Sequence, residues 1–220
     1  MSVASTIAGL AGSTSEPQPV DAGPARARIV AVVLAMGATT SAASGIAASR
    51  SSWWAWHLVG GLGVAVATIA VALAVCLLVL ARGATWATVG ALLTGLGGLA
   101  FYGGVAAEAV PGAYATEPEA LSAQSGTTLL RVVDDLEPIG ALLIVAVVLL
   151  TVGPLLLAGA LWHARSVPRW LPVAFALTSV ARFPLSAGGV ADSAFAATLA
   201  AVAWFLWHHA TTTNTPRSNP

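Results

Sequence analysis

The side chains of this chain that can do acid–base or ionic chemistry are few, and four of them stand where apolar runs begin or end. They are His57, Glu108, Arg182 and Asp192. A charge inside a bilayer commonly costs a few kcal/mol, so it faces the bundle interior and pairs. The spacing therefore predicts an outward-facing polar pocket. In it Arg182 pairs with Asp192 or Glu108, and His57 titrates a proton or donates a hydrogen bond. The competing reading puts each group at headgroup depth, capping a helix or snorkelling to the surface.

Other chemistries lack their residues. Bis-histidine haem ligation needs two imidazoles at one depth on facing helices. His57 has no such partner, while His163, His208 and His209 fall near the opposite surface. No His-Glu-x-x-His or Gly-x-Ser-x-Gly motif is present. Adjacent Asp134 and Asp135 point in different directions on a helix. With Glu137 they suit solvation of a loop and the positive N-terminus of the next helix. Cys76, the only cysteine, precludes an intramolecular disulfide and reads as a small core residue. No cofactor, metal or catalytic residue is expected, and an enzyme is disfavoured. No basic patch exists for nucleic acid.

The elements that must position these groups follow from composition. Of 220 residues, 57% are hydrophobic and 8% charged, against about 25% charged in ordinary soluble domains. Net charge is zero, and all nine basic residues are arginine. Abundant Ala, Gly, Val and Leu without Lys points to a high-GC bacterial genome. The apolar runs reach the roughly 20 residues that cross a hydrocarbon layer. The expected fold class is all-α, a polytopic transmembrane bundle of six helices in the cell membrane, spanning 26–209. The helices fall at about 28–48, 54–81, 84–107, 138–162, 170–185 and 190–207. Residues 1–25 read as a disordered tail, because Met1–Val20 lacks the basic residues of a secretory signal. Residues 210–220 form a second polar tail.

Three details shape the expected packing. The first segment is small and hydroxylated in its second half, with Thr39, Thr40, Ser41 and Ser44, which suits close helix contact. The third carries two small-residue ridges, one through Gly83, Ala87, Ala91 and Gly95, the other through Gly90, Thr94 and Gly98. Such faces admit another helix, from this chain, a partner or a second copy. Gly153 and Pro154 are expected to kink the fourth segment.

Between the third and fourth segments, 108–137 is the one long polar interruption and holds six of the nine acidic residues. Pro111, Gly112 and Pro118 are expected to break helix there, and 129–136 to form a short amphipathic turn on the membrane surface. Arginine position sets orientation by the positive-inside rule. With both termini cytoplasmic, Arg26, Arg28, Arg82, Arg165, Arg169 and Arg217 lie inside. Arg50 and Arg131 lie outside, and Arg182 falls in the outer part of the fifth segment. The tryptophans then fall at the interfaces they favour, Trp53, Trp54 and Trp56 outside, Trp86, Trp162, Trp170, Trp204 and Trp207 inside. The acidic stretch becomes an extracytoplasmic loop. Asp192 or Ser193 is expected to cap the sixth segment.

Three short features carry a resemblance. They are the tryptophan-rich start Trp53-Trp54-Ala55-Trp56-His57, the helix end Ala107-Glu108-Ala109 and the triplet Pro168-Arg169-Trp170. Through them, over about 27–209, the chain resembles small six-helix bacterial integral membrane proteins. The resemblance implies this architecture and brings no activity or cofactor. Two function classes follow. The first is a non-catalytic membrane component or accessory subunit, favoured by the small-residue faces. The alternative is a small transporter or proton-coupled permease, favoured by Gly153-Pro154 and Arg182.

Overall fold

The computed structural model describes residues 23–47, 53–79, 84–116, 121–182 and 190–212. Those residues are all-α, with seven helices and no strand. In order they are α1 (Pro24–Ala47), α2 (Trp53–Val79), α3 (Ala84–Thr116), α4 (Ala123–Asp134), α5 (Glu137–Ala164), α6 (Trp170–Ala181) and α7 (Val190–Thr212). Five of them, α1, α2, α3, α5 and α7, are long and apolar enough to cross a membrane. Most of both expected tails lies outside the described residues.

α2 organises the rest. It has no Asp, Glu, Lys or Arg and is apolar all round, the pattern of a core or membrane helix, with Leu62, Ile69 and Leu73 exposed on its outer side. It packs against α1, α3, α5 and α7, while α6 bridges α5 and α7. The outer faces are apolar as well: Ile29, Met36, Leu92, Leu96, Ile144 and Leu177 are all exposed. Soluble monomers rarely expose contiguous apolar surface on that scale, so the chain fits a lipid surrounding.

Close helix contact rests on small residues. α1 and α2 run antiparallel with Gly37 against Ala67, Gly63 against Ser41 and Gly60 against Ser44. The hydroxylated half of α1 sits at this crossing. Its Thr39 and Ser44 hydroxyls donate to their own helix, to the carbonyls of Ala35 and Ser41 at 2.8 Å. The ridge through Gly90, Thr94 and Gly98 is taken up inside the chain. Gly90 meets Gly153 and Leu157 of α5, and Gly98 meets Thr68 of α2. Of the other ridge, Ala87 is buried, Gly95 has open space beside it, and Gly83 lies outside the described residues.

The apolar core is asymmetric. Its buried residues come from 27–38 of α1, 67–79 of α2, Ala87 of α3, 157–161 of α5, the start of α6 and 195–206 of α7. Most of them lie toward the Trp170 end of the bundle. Leu34, Val71, Val75, Leu157, Leu161 and Phe175 are fully buried there.

Several boundaries differ from the sequence expectation. α3 does not stop at residue 107; it continues through Pro111 and Gly112 to Thr116. Proline removes one backbone donor. The extension gains contacts in return, since Trp54 packs over Gly112, where a methyl group would stand 2.5 Å from the indole. The Thr116 hydroxyl donates to the Gly112 carbonyl at 3.0 Å. At 33 residues α3 is about 50 Å long, well beyond a hydrocarbon thickness of about 30 Å. Much of the expected loop at 108–137 is therefore helical. α4 occupies part of it as an amphipathic helix that packs on α3. Ser122 caps α4 by accepting from the Ser125 N–H at 3.3 Å. Gly126, Leu129, Leu130 and Val133 form its less exposed face, and Gly126 sits against the Ala115 carbonyl. α5 runs through Pro154 without ending. α6 is a helix only to Ala181, and residues 183–185 lie outside the described residues.

The α3–α5 contact gives a direct test. A methyl group at Gly153 would stand 2.6 Å from the Thr94 backbone nitrogen, which cannot yield as a flexible side chain would. Gly153→Ala should destabilise the bundle by about 1–3 kcal/mol through overpacking. Gly95→Ala meets nothing within 4 Å and gains helix propensity, so its thermal midpoint in detergent should hold or rise.

Candidate functional site

Two helix ends bring a buried ion pair together. Arg182 caps the end of α6, its N–H donating to the Thr178 carbonyl at 3.2 Å. Asp192 lies in the first turn of α7. The Arg182 Nε donates to Asp192 Oδ1 at 2.8 Å, with the side chains only 12% and 27% exposed. The guanidinium also stands 5.1 Å from the centre of the Phe195 ring, a cation–π contact. Further along the α6/α7 hairpin, Phe175 stacks on Phe195 at 6.3 Å and Trp170 meets Phe205 at 6.4 Å.

Helix length sets the depth of this pair. α6 has 12 residues and extends about 18 Å. A helix of that length entering a hydrocarbon layer at Trp170 ends roughly 12 Å short of the far side, since the layer is about 30 Å thick. With Trp170 at an interface, as proposed below, Arg182 would lie deeper than an ordinary headgroup anchor.

The pair forms one wall of a cavity of about 150 Å³ at the end of the bundle opposite the apolar core. Ser41 and Ser44 of α1, Trp56 and His57 of α2, and Phe101 and Val105 of α3 line the rest. Gly60 and Gly61 leave its floor without side chains. Beneath Arg182 a second void, of about 10 Å³, touches Thr68, Thr94, Ser179 and Phe195. That is close to the smallest space that holds one water. The three hydroxyls there are buried and satisfied within their own helices. Thr68 donates to the Ala65 carbonyl at 2.9 Å, Thr94 to Gly90 at 2.7 Å and Ser179 to Phe175 at 2.6 Å. Val71, which also borders this void, is fully buried, as are Leu157 and Phe175.

The four residues singled out from sequence divide as follows. His57, Arg182 and Asp192 line the same cavity. Glu108 is outside its lining. Arg182 bonds Asp192 rather than Glu108. Asp192 does not cap α7, because the helix starts two residues earlier at Val190 and the carboxylate turns to Arg182. Thr151 donates to the Val147 carbonyl at 2.8 Å and is not among the lining residues. Sequence reasoning missed Ser41, Ser44 and Trp56 as lining. The signal available was the hydroxylated half of α1, which accounts equally well for helix packing.

Among the described residues the remaining titratable groups do not converge on this cavity. His163 Nδ1 lies 2.8 Å from the Gly159 carbonyl, and the His208 ring meets Trp204 at 4.1 Å. Asp135 and Glu137 are exposed. Cys76 Sγ lies 3.8 Å from the Ala87 carbonyl, a weak structural contact. Among the described residues no three His, Cys, Asp or Glu side chains converge as a metal site would require.

Removing one member of a buried ion pair leaves the other charge uncompensated, at about 3–5 kcal/mol. Arg182→Gln and Asp192→Asn should each lower stability, toward the smaller figure because Asp192 is partly exposed. The double variant should recover most of the loss, measured as a double-mutant cycle of unfolding in detergent. Additive losses would show that the pair is not coupled. Comparison of the chain with protein-family models, curated proteins and solved structures finds no match.

Proposed function

We propose that this chain is a multi-pass protein of a bacterial cell membrane that binds a small polar solute in the cavity and carries it across. The observation that carries this reading is the Arg182–Asp192 pair, buried in the wall of a cavity that ends on a solid apolar core. An ion pair at that depth is expensive to keep, and such groups mark solute or proton paths in membrane bundles. The cavity is about the size that takes a benzene molecule in a protein interior. The solute is therefore small.

Six crossings, by α1, α2, α3, α5, α6 and α7, with both termini cytoplasmic, make the cavity face outward. Arginine distribution supports that orientation. So does the Trp170 end, where Arg28 stands 5.4 Å from the Trp207 ring and Arg169 5.4 Å from the Trp162 ring. Arg–Trp pairs of this kind suit a cytoplasmic interface. The accessory-subunit reading drew on small-residue faces. The Gly90–Thr94–Gly98 ridge has its partners within the chain, which removes much of that support.

Accessibility tests the cavity and its sidedness. In a Cys76→Ala background, Ser41→Cys should react with a membrane-impermeant maleimide added to intact cells, and Val71→Cys should not. Reaction of Ser41→Cys only after permeabilisation would reverse the orientation. Proteoliposomes with the wild-type chain should take up at least one solute from an isotope-labelled pool of small polar metabolites. The Arg182→Gln/Asp192→Asn double variant should take up none. Equal uptake by both, or by neither, would contradict the carrier reading.

A further inference from the structure

We infer that the cavity selects a small zwitterion, a molecule with one ammonium and one carboxylate group such as a small α-amino acid; this rests on the solute-binding reading above. The argument is one of charge balance. Arg182 and Asp192 neutralise each other across a 2.8 Å bond, in a wall where both side chains are largely withdrawn from water. A bare anion placed on Arg182 competes with Asp192 and brings net negative charge into a poorly solvated site. A bare cation on Asp192 does the reverse. Either leaves a buried charge short of its partner, the arrangement that costs most. An uncharged solute adds only ordinary hydrogen bonds, about half as strong as charge-assisted ones. A zwitterion alone can lay its carboxylate along the guanidinium and its ammonium along the carboxylate. The two dipoles then run antiparallel, and no net charge is added.

The bonding capacity of the pair allows this. Guanidinium has five N–H donors in a fork, and the bond to Asp192 uses Nε. Asp192 accepts it through Oδ1, and a carboxylate carries a second oxygen with lone pairs of its own. The rest of the lining fits the remainder of such a molecule. Phe101, Val64 and Val105 form an apolar wall for a short side chain, and Ser41, Ser44, Trp56 and His57 add polar edges. The volume of about 150 Å³ sets the size. Alanine has as many non-hydrogen atoms as benzene, which a cavity of this volume accepts.

The test is binding by the purified full chain in detergent, with four probes of similar size: L-alanine, propionate, ethylammonium and glycerol. L-Alanine at millimolar concentration should raise the thermal midpoint and slow alkylation of Ser41→Cys in the Cys76→Ala background at least tenfold. The other three should do neither. Protection by propionate, ethylammonium or glycerol equal to that by L-alanine overturns the zwitterion assignment and leaves the solute-binding reading standing. Protection by none of the four, with Ser41→Cys reactive and the protein folded, overturns the assignment as well. The uptake experiment above then decides the wider reading separately. L-Alanine protection should vanish in Arg182→Gln/Asp192→Asn and persist in Thr151→Ala, whose hydroxyl bonds only its own helix. If the double variant does not fold, the ranking of the four probes on Ser41→Cys decides alone.

Discussion

A charge buried in an apolar bundle must find its opposite, and that requirement organises this molecule. Arg182 and Asp192 meet because α6 stops at Ala181 and α7 starts at Val190, which sets two helix ends side by side. At the end of α6, Arg182 is within reach of Asp192 and Phe195 and shares a small void with the hydroxyls of Thr68, Thr94 and Ser179. The polar part of the interior is built out from this pair.

Packing supplies the other half of the asymmetry. Where Ala, Val and Leu meet along α2, α5 and α7, the bundle is solid. Where α1 and α2 present Ser41, Ser44, Gly60 and Gly61, side chains are too small to fill the space and the cavity remains. Glycines draw helices together at both levels, Gly37 and Gly63 between α1 and α2, Gly90 and Gly153 between α3 and α5. Close packing below and deficient packing above give one cavity at one end of a sealed bundle. On the proposed carrier reading the apolar half, where α2 meets α5 and α7, has to open for the solute to leave.

Much of this was legible in the chain. Apolar runs marked the long helices, because a run of bilayer length has few other uses. That Arg182 needs an acidic partner was legible, because intramembrane charges rarely stand alone; which of Asp192 and Glu108 it takes was not, and the structure gives Asp192. The continuation of α3 past Pro111 was not. Helix breakers were read locally, whereas the indole of Trp54 and α4 support that turn from residues distant in sequence. α4 was read as a shorter turn because its apolar face, from Gly126 to Val133, is sparse and begins with a glycine. Nor did sequence separate Ser41 as cavity lining from Thr39 as a self-satisfied hydroxyl. That depends on helix rotation, which the α1–α2 glycine contacts set.

The central claim is that Arg182 is held by Asp192 at the wall of a water-connected cavity, and does not snorkel to lipid headgroups. Solid-state NMR of the labelled chain in lipid bilayers tests it directly. The account predicts close dipolar contact between the Arg182 Nε and the Asp192 side-chain carboxylate carbon. It also predicts polarisation transfer from water to Arg182 and none to Phe175 or Leu161. Contact from the Arg182 guanidinium to lipid phosphorus, with none to Asp192, would contradict it.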